Sequence, residues 1–219
     1  MHHLSRRTFL KVAAPLLLSS FVAFPARAGQ NRKSSILIVY FSMPETNSPG
    51  SMTREEDNSV VVINGSVLGN TQYVAMLIQK MTGGDMFRIT PTSPYPTDHA
   101  TLVDMARKEQ RRNARPGIAG RMEHPDNYDT VFLGYPNWWA DMPMILYTFL
   151  ESYDLSGKTV IPFNTHGGSG FSHTIETIAA LQPGARVLRN GFSVSRNSVD
   201  KSAPDVERWL TEIGYGRQR

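Results

Sequence analysis

A serine at the end of an apolar run and a Gly-Asn-Thr sequence further along the chain offer side chains that bind a phosphate group. Ser42 follows the apolar and aromatic residues 36 to 41, and Asn70 and Thr71 open a segment with the apolar spacing of a helix. The first N–H groups of a helix and its positive dipole end favour an anion, so no lysine is needed. We therefore predict a phosphate site at Ser42, Asn70 and Thr71. The alternative is that Asn70 and Thr71 only cap the helix.

A second segment, Pro136-Asn137-Trp138-Trp139, follows another apolar run. Proteins bind a flat, polarizable ring between flat apolar walls, with backbone donors and acceptors at the edge of the ring. Trp138 or Trp139 could form such a wall, and we predict that all four residues lie at a ring-binding site. The alternative is that the paired tryptophans belong to the hydrophobic core.

A third segment, Thr165-His166-Gly167-Gly168-Ser169-Gly170, contains three glycines in four positions. Glycines let the backbone approach a ligand closely and present N–H groups to its polar edge. We predict that Thr165, His166, Gly167, Gly168 and Gly170 bind the ligand. The alternative for this segment is a plain glycine turn between a strand and a helix. His166 could donate to the ligand, or it could be an ordinary polar residue on the surface.

The elements that must position these segments alternate between strand and helix. Runs of β-branched and aromatic residues predict strands, and apolar residues at helical spacing predict helices. The predicted strands cover 35–41, 86–89, 130–135, 158–163 and 185–188 with 192–194, and the predicted helices lie within 71–81, 97–109, 145–153, 175–179 and 206–213. Five βα units in a row predict an α/β fold, a parallel sheet with helices on both faces. Ligands bind beyond the carboxyl ends of such strands, where the three segments should meet.

Two features depart from a simple alternation. Residues 44 to 68 make an unusually long first connection, and the apolar residues 59 to 63 before Asn64-Gly65 predict a hairpin inside this insertion. Its charged residues 54 to 57 are expected to be a solvated surface run. Pro162 cannot donate to a sheet ladder, so we expect its strand to be bulged or to end nearby.

The first 28 residues have the pattern of an export signal. Basic residues precede an apolar stretch from Val12 to Phe24, and residues 26 to 28 form a small-x-small cleavage site. Residues 5 to 11 resemble the twin-arginine export motif. We therefore expect a mature chain, residues 29 to 219, that is exported already folded to the periplasm or beyond.

The leader also accounts for the net charge of the chain. It holds four of the 23 basic residues and none of the 19 acidic residues, so its removal changes the formal charge from +4 to 0. This balance gives no reason to expect nucleic acid or a membrane anchor as a partner. The sequence contains no cysteine, which excludes disulfides, thiolate metal sites and Fe–S clusters. The histidines lack the spacing of a metal site, and we expect no metal.

The three ligand segments together resemble those of the flavodoxin family, over nearly all of the mature chain. With the export signal, the chain is similar to the exported, flavodoxin-like oxidoreductases of that family. The resemblance implies a flavodoxin-like five-stranded parallel sheet of order 2-1-3-4-5 that binds flavin mononucleotide (FMN). It places the flavin phosphate at Ser42, Asn70 and Thr71, the isoalloxazine ring beside residues 136 to 139, and its pyrimidine end beside residues 165 to 170.

Three functions are consistent with these expectations. The first is an FMN-dependent oxidoreductase that passes electrons or hydride to a small acceptor such as a quinone, with NAD(P)H as a possible donor. The second is an electron-transfer flavodoxin that docks on redox partner proteins. The third is a binding protein that retained the fold and lost FMN. Classical electron-carrying flavodoxins are strongly acidic, whereas the mature chain has no net charge, and this difference favours the enzyme.

Overall fold

Continuous apolar runs form the central strands of the structure, a computed structural model that describes residues 35 to 216. These residues belong to one compact unit. The export signal predicted for residues 1 to 28 lies outside the described residues. The strands, in chain order, are β1 (Ile36–Tyr40), β2 (Val60–Ile63), β3 (Ser66–Gly69), β4 (Asp85–Arg88), β5 (Thr90–Pro91), β6 (Ile118–Ala119), β7 (Thr130–Pro136), β8 (Thr159–His166), β9 (Arg186–Val187) and β10 (Phe192–Ser195).

Five of the helices, α2 to α6, occupy the positions that the apolar spacing predicts, whereas α1 and the two 3₁₀ helices were not predicted. The α-helices are α1 (Arg54–Ser59), α2 (Asn70–Thr82), α3 (His99–Arg111), α4 (Met144–Ser152), α5 (Thr174–Leu181) and α6 (Ala203–Glu212), and short 3₁₀ helices cover Pro125–Asn127 and Arg196–Lys201. Asp98 caps α3 through its carboxylate, which accepts from Thr101 N at 2.9 Å. The helix α2 ends at Gly83, whose φ of 72° gives the left-handed turn typical of a helix C-terminus.

The main sheet is parallel and has the predicted order. Its strands lie in the order β4-β1-β7-β8-β10, and β9 pairs with the beginning of β8 on the same edge as β10. The predicted order 2-1-3-4-5 is therefore confirmed, with the fifth strand divided between β9 and β10. The carboxyl ends of β1, β7 and β8 adjoin one another at one end of the sheet.

Both faces of the sheet are covered by hydrophobic clusters. In β1, Leu37 and Val39 point into the cluster beneath α3, α4 and α5, whereas Ile38 and Tyr40 point into the cluster beneath α2 and α6. Alternate residues of one strand thus enter opposite cores, which is the pattern of a strand buried on both sides. Each core fixes the helices of its face against the sheet.

Pro162 lies inside a regular strand, which corrects the expectation of a bulge or an early strand end. β8 pairs with β7 without interruption past this residue. On the side of β8 that faces β9, the Val160 carbonyl accepts from Leu188 N at 2.9 Å. The backbone groups of successive strand residues point to alternate sides, so Pro162, two residues after Val160, faces that same side. β9 ends opposite Val160, and β10 begins opposite Phe163. The missing N–H of Pro162 therefore falls where neither strand is present to receive it.

The insertion of residues 44 to 68 contains the predicted hairpin. β2 and β3 pair as antiparallel strands through a two-residue turn, in which Asn64 and Gly65 have φ values of 52° and 79°. Two consecutive positive φ values are typical of the type I′ hairpin turn. The charged run forms the short helix α1, which has no buried residue. A capping box between Thr53 and Glu56 stabilises its N-terminus.

Candidate functional site

The carboxyl ends of β1, β7 and β8 surround a cleft of about 310 Å³, which is hereafter called the cleft. Ten of the twelve residues predicted to bind a ligand line it. They are Ser42, Asn70, Thr71, Pro136, Asn137, Trp138, Trp139, Thr165, His166 and Gly167. The other two, Gly168 and Gly170, are not on its surface and instead shape the loop that follows β8.

Ser42 and the N-terminus of α2 are adjacent despite the insertion between them. The hairpin returns the chain to Gly69, and Ser42 Oγ accepts from Gln72 N at 3.3 Å. A Cβ atom on residue 69 would overlap Ser42 Oγ, so this approach requires glycine. The first N–H groups of a helix have no partner within it, and a helix N-terminus attracts anions. The geometry therefore suits a phosphate group at this end of the cleft.

Asn70 presents an unused acceptor at the same end. Its Nδ2 donates to the Asn58 carbonyl at 3.0 Å, while its Oδ1 is buried and has no hydrogen-bond partner among the described residues. A buried acceptor without a partner is costly, and a hydroxyl group of a ligand would satisfy it. The arrangement therefore fits a ligand that carries hydroxyl groups close to its phosphate.

The phosphate end and the loop after β8 are joined by a direct hydrogen bond. Thr71 Oγ1 and Thr165 Oγ1 lie 2.8 Å apart, and both residues are buried. One hydroxyl belongs to the first turn of α2 and the other to the end of β8. This contact fixes the distance between two of the three predicted ligand segments.

The two tryptophans of the second segment have different environments. Trp138 packs edge-to-face on Phe41 and Tyr95, with ring centroids 5.6 and 5.5 Å apart, and its backbone pairs with Asp141. Trp139 is 46% exposed and has a φ of 55°. Trp138 therefore packs against the core, and both tryptophans line the cleft.

Trp139 is held against α3 on the open side of the cleft. Its indole Nε1 donates to the Val103 carbonyl at 3.1 Å, and the Trp139 carbonyl accepts from Gln110 Nε2 at 3.2 Å. The Arg107 guanidinium lies 4.6 Å from the centre of its ring. These contacts fix an exposed aromatic ring that a ligand could use as a wall.

The loop after β8 is shaped by glycines and by asparagine side chains. Gly168 and Gly170 have φ values of 139° and 56°, which favour glycine. The Gly170 carbonyl accepts from Asn164 Nδ2 at 2.7 Å and from Asn137 Nδ2 at 3.0 Å. Asn137 also donates its N–H to the Thr165 carbonyl at 2.8 Å, so the second and third segments hold each other in place.

His166 is set up as a neutral donor. Its Nδ1 accepts from Gly168 N at 2.9 Å, so in this tautomer the proton is on Nε2. Burial lowers the pKa of His166. Arg196 lies on the other side of this loop, with its guanidinium against Gly167, where a Cβ atom would be 3.3 Å from Arg196 Cζ. The loop thus brings a neutral imidazole and a cation to one end of the cleft.

Sequence reasoning missed nine residues that line the cleft. Met43, Glu45, Asn58 and Ser59 come from the chain between β1 and β2, while His99, Leu102, Val103 and Ala106 come from α3 and Arg196 follows β10. The positions in α3 recur at intervals of three and four, a pattern that marks one helix face but does not tell a core from a cleft wall. Glu45 and Arg196 have no sequence signal, because tertiary contacts alone bring them to the cleft.

Two further properties concern the whole described part of the chain. Between residues 35 and 216, no three or more His, Asp or Glu side chains are grouped so that they could hold a metal ion. No helix in that range has the length and apolar character needed to cross a membrane.

Comparisons with known proteins agree with this architecture. A family model described as Flavodoxin matches residues 59 to 213. A presumed flavoprotein from Bacteroides eggerthii DSM 20697 is 29% identical, with a TM-score of 0.62 over 82% of this chain and 98% of that chain. Another from Bacteroides uniformis ATCC 8492 is 26% identical, with a TM-score of 0.55 over 77% of this chain and 96% of that chain.

A third solved structure contains a ligand. It is a flavoprotein from Lactobacillus acidophilus NCFM in complex with FMN, 19% identical, with a TM-score of 0.52 over 77% of this chain and 97% of that chain. At this identity the likeness concerns the fold. A search of curated proteins gives no match.

Proposed function

The chain belongs to the flavodoxin family, and we propose that it is an FMN-dependent oxidoreductase that passes electrons or hydride to a small acceptor such as a quinone. The observation that carries this proposal is the convergence of three strand-end segments on one cleft, with Thr71 and Thr165 in direct contact. The family and the structure of the Lactobacillus flavoprotein with FMN support FMN as the cofactor.

The cleft offers residues suited to each part of FMN. Ser42 and the N-terminus of α2 would hold the phosphate, and the unpaired Asn70 Oδ1 would accept from a hydroxyl of the ribityl chain. Trp138 and Trp139 would flank the ring. The N–H groups after β8 would meet the ring's polar edge. When bound, FMN supplies the capacity to take up and release two electrons, while the protein positions it and tunes its electrostatics.

An enzyme is favoured over an electron carrier by the wall that α3 adds to the cleft. Leu102, Val103 and Ala106 lie along one side of α3 and face the cleft, and His99 stands at the helix start. A carrier needs only an exposed ring edge to exchange electrons, whereas a catalyst needs a surface that orients a second molecule. An apolar wall with a titratable group at its end is a surface of that kind.

We also propose that the protein is exported through the twin-arginine pathway and works in the periplasm or outside the cell. The support is the motif in residues 5 to 11 of the leader. Replacing Arg6 and Arg7 together by lysine should retain the full-length chain in the cytoplasm. Fractionation of cells, with detection of the processed and unprocessed forms, measures this directly, and unchanged export would contradict the proposal.

The function itself is tested on the purified mature protein. We expect a flavin absorption spectrum, quenching of FMN fluorescence on titration of apoprotein, and rapid reoxidation of the reduced protein by benzoquinones in stopped-flow measurements. A colourless protein whose thermal stability does not rise with FMN would overturn cofactor binding. Electron exchange with a protein partner, but not with quinones, would instead identify an electron carrier.

A further inference from the structure

Glu45 and His99, which belong to none of the three segments proposed to hold FMN, form a hydrogen-bonded pair on the surface of the same cleft. The His99 Nδ1 atom lies 3.0 and 3.1 Å from the two carboxylate oxygens of Glu45. Glu45 belongs to the insertion and is only 6% exposed, whereas the His99 side chain is 40% exposed. The pair therefore joins a buried acid to a histidine that solvent and ligands can reach.

The position of Glu45 is fixed from both ends. Its backbone N–H donates to Ser59 Oγ at 3.0 Å, and its carboxylate is held by His99. Burial raises the pKa of Glu45, and the nearby acids Glu56 and Asp98 act in the same direction, while the hydrogen bond and charge of His99 oppose the shift. A buried carboxylate with a histidine partner is the arrangement that orients an imidazole and stabilises its protonated form.

The apolar wall of α3 begins at this histidine. Leu102, Val103 and Ala106 follow His99 at intervals of three, four and seven residues, and all of them line the cleft. The wall is closed by Trp139, whose indole donates to the Val103 carbonyl at 3.1 Å. A flat, largely apolar molecule with a carbonyl group at one end matches a wall that carries a proton donor at one end.

Resting on the proposed function, we propose that His99 donates a proton to a quinone bound along the α3 wall, and that Glu45 is the residue that positions His99. Reduced FMN, when bound, would supply two electrons and one proton to the quinone as a hydride. The second proton passes from the His99 imidazolium to a quinone oxygen, which completes the hydroquinone. His99 then recovers its proton from water.

The geometry assigns the two ring nitrogens of His99 different tasks. Nδ1 is committed to Glu45, so Nε2 is the nitrogen left to donate to the acceptor. A general acid of this kind needs contact with the reacting atom and access to solvent for its recharging. The partial exposure of His99 on the wall of the cleft provides both.

The first test compares two oxidants of the reduced, FMN-loaded protein. Reduction of a benzoquinone requires a proton at the acceptor, whereas hexacyanoferrate(III) takes up electrons alone. We expect H99Q to lower the rate with the benzoquinone by about 100-fold, the lower end for loss of a general acid, and to leave the rate with hexacyanoferrate unchanged. H124Q, at an exposed histidine that does not line the cleft, should leave both rates unchanged.

The second test isolates the role of Glu45 by a property other than turnover. In E45Q the quinone rate should fall while the hexacyanoferrate rate stays unchanged, because a neutral amide makes a weaker hydrogen bond to His99 Nδ1 than a carboxylate does. The proton NMR signals of the His99 ring, assigned by their absence in H99Q, should change in E45Q and return towards the wild type in E45D. An unchanged His99 spectrum in E45Q would overturn the role of Glu45.

The outcomes separate this inference from the function on which it rests. If the reduced wild-type protein does not react with quinones, the proposed oxidoreductase function fails. If the wild type reacts and H99Q reacts equally fast, only the proton-donor role fails. If H99Q no longer binds FMN, His99 belongs to the cofactor site, and that result also overturns proton donation.

Discussion

The hydroxyl groups of Thr71 and Thr165 lie 2.8 Å apart, buried between the start of α2 and the end of β8. The contact joins residues 94 positions apart in the chain. It sets the separation between the part of the cleft suited to a phosphate and the part suited to a ring. Both hydroxyls can act as donor or acceptor, so each depends on the other for its partner.

We expect Thr71→Val and Thr165→Val to weaken FMN binding and to reduce stability. Each single change leaves a buried hydroxyl without its partner, which costs roughly 1–3 kcal/mol of unfolding free energy. The double variant should recover part of that loss, because neither hydroxyl then remains unpaired. Urea unfolding of the apoproteins gives the coupling, and a strictly additive double variant would contradict it.

Gly69→Ala should weaken the binding of FMN while leaving riboflavin affinity nearly unchanged. The new methyl group would collide with Ser42 Oγ at the phosphate end, and riboflavin has no phosphate. Loss of one hydrogen bond to a charged group corresponds to about a tenfold or greater increase in Kd. Fluorescence titrations with both ligands measure the effect.

Gly50→Ala is the matched control for this prediction. A Cβ atom there meets nothing within 4 Å, and the residue lies outside the cleft. Its FMN affinity should equal that of the wild type. Equal weakening of FMN and riboflavin by Gly69→Ala would show that the phosphate lies elsewhere.

Arg196→Gln should lower the midpoint potential of bound FMN. Reduction places negative charge on the ring, and a guanidinium beside Gly167 stabilises that charge. We expect a decrease of about 20 mV, since 30 mV is about 1.4 kcal/mol for a two-electron couple. Spectroelectrochemical titration measures the potential, and the shift should shrink at high salt.

Arg189→Gln serves as the control for the potential. Arg189 is exposed, forms an ion pair with Glu176 at 3.1 Å and does not line the cleft. Its removal changes the net charge by the same amount without changing the local field at the proposed ring site. If both variants shift the potential equally, the effect is one of overall charge.

Glu45→Gln should change how stability depends on pH. The pKa of Glu45 is raised in the folded protein, mainly by burial, so the folded state binds more protons than the unfolded state at pH values above 4.5. The contribution of Glu45 to stability therefore decreases as pH rises from 4.5 through its folded pKa. Thermal unfolding should show the wild type losing stability relative to Glu45→Gln across that interval.

The exposed Glu176 provides the comparison for this titration. Its ion pair with Arg189 is solvated on both sides, and such pairs contribute little. Glu176→Gln should therefore follow the wild type over the same pH interval. A carboxylate that reduces stability at neutral pH is consistent with a residue kept for its role at the cleft.

The sequence predicts the sheet well because the signal for a doubly buried strand is local. The apolar run around Ile38 and Val39 can be buried only with helices on both faces, and the alternation of elements then fixes a parallel order. The three ligand segments follow from the same logic. Each stands directly after a predicted strand or before a predicted helix, so the fold brings them together.

The remaining parts of the cleft depend on contacts that no local pattern encodes. Glu45 reaches His99 across 54 residues because α3 begins beside the chain that leaves the carboxyl end of β1. Arg196 reaches Gly167 because β10 runs beside β8. The irregularity expected at Pro162 is absent for a similar reason, since the effect of a missing N–H depends on which neighbour it would face.

The break opposite Pro162 has a consequence for how this edge of the protein can vary in length. Val187 and Phe192 are five residues apart in the chain, whereas their partners on β8, Val160 and Phe163, are three residues apart. The chain between Val187 and Phe192 therefore loops out. The loop is anchored, because the Asn190 carbonyl accepts from Trp209 Nε1 at 2.9 Å and a Cβ atom on residue 191 would lie 2.5 Å from the Pro162 carbonyl oxygen. Its length is therefore held by contacts with α6 and β8, and a peptide tag inserted there would displace β10, which sets where Arg196 emerges.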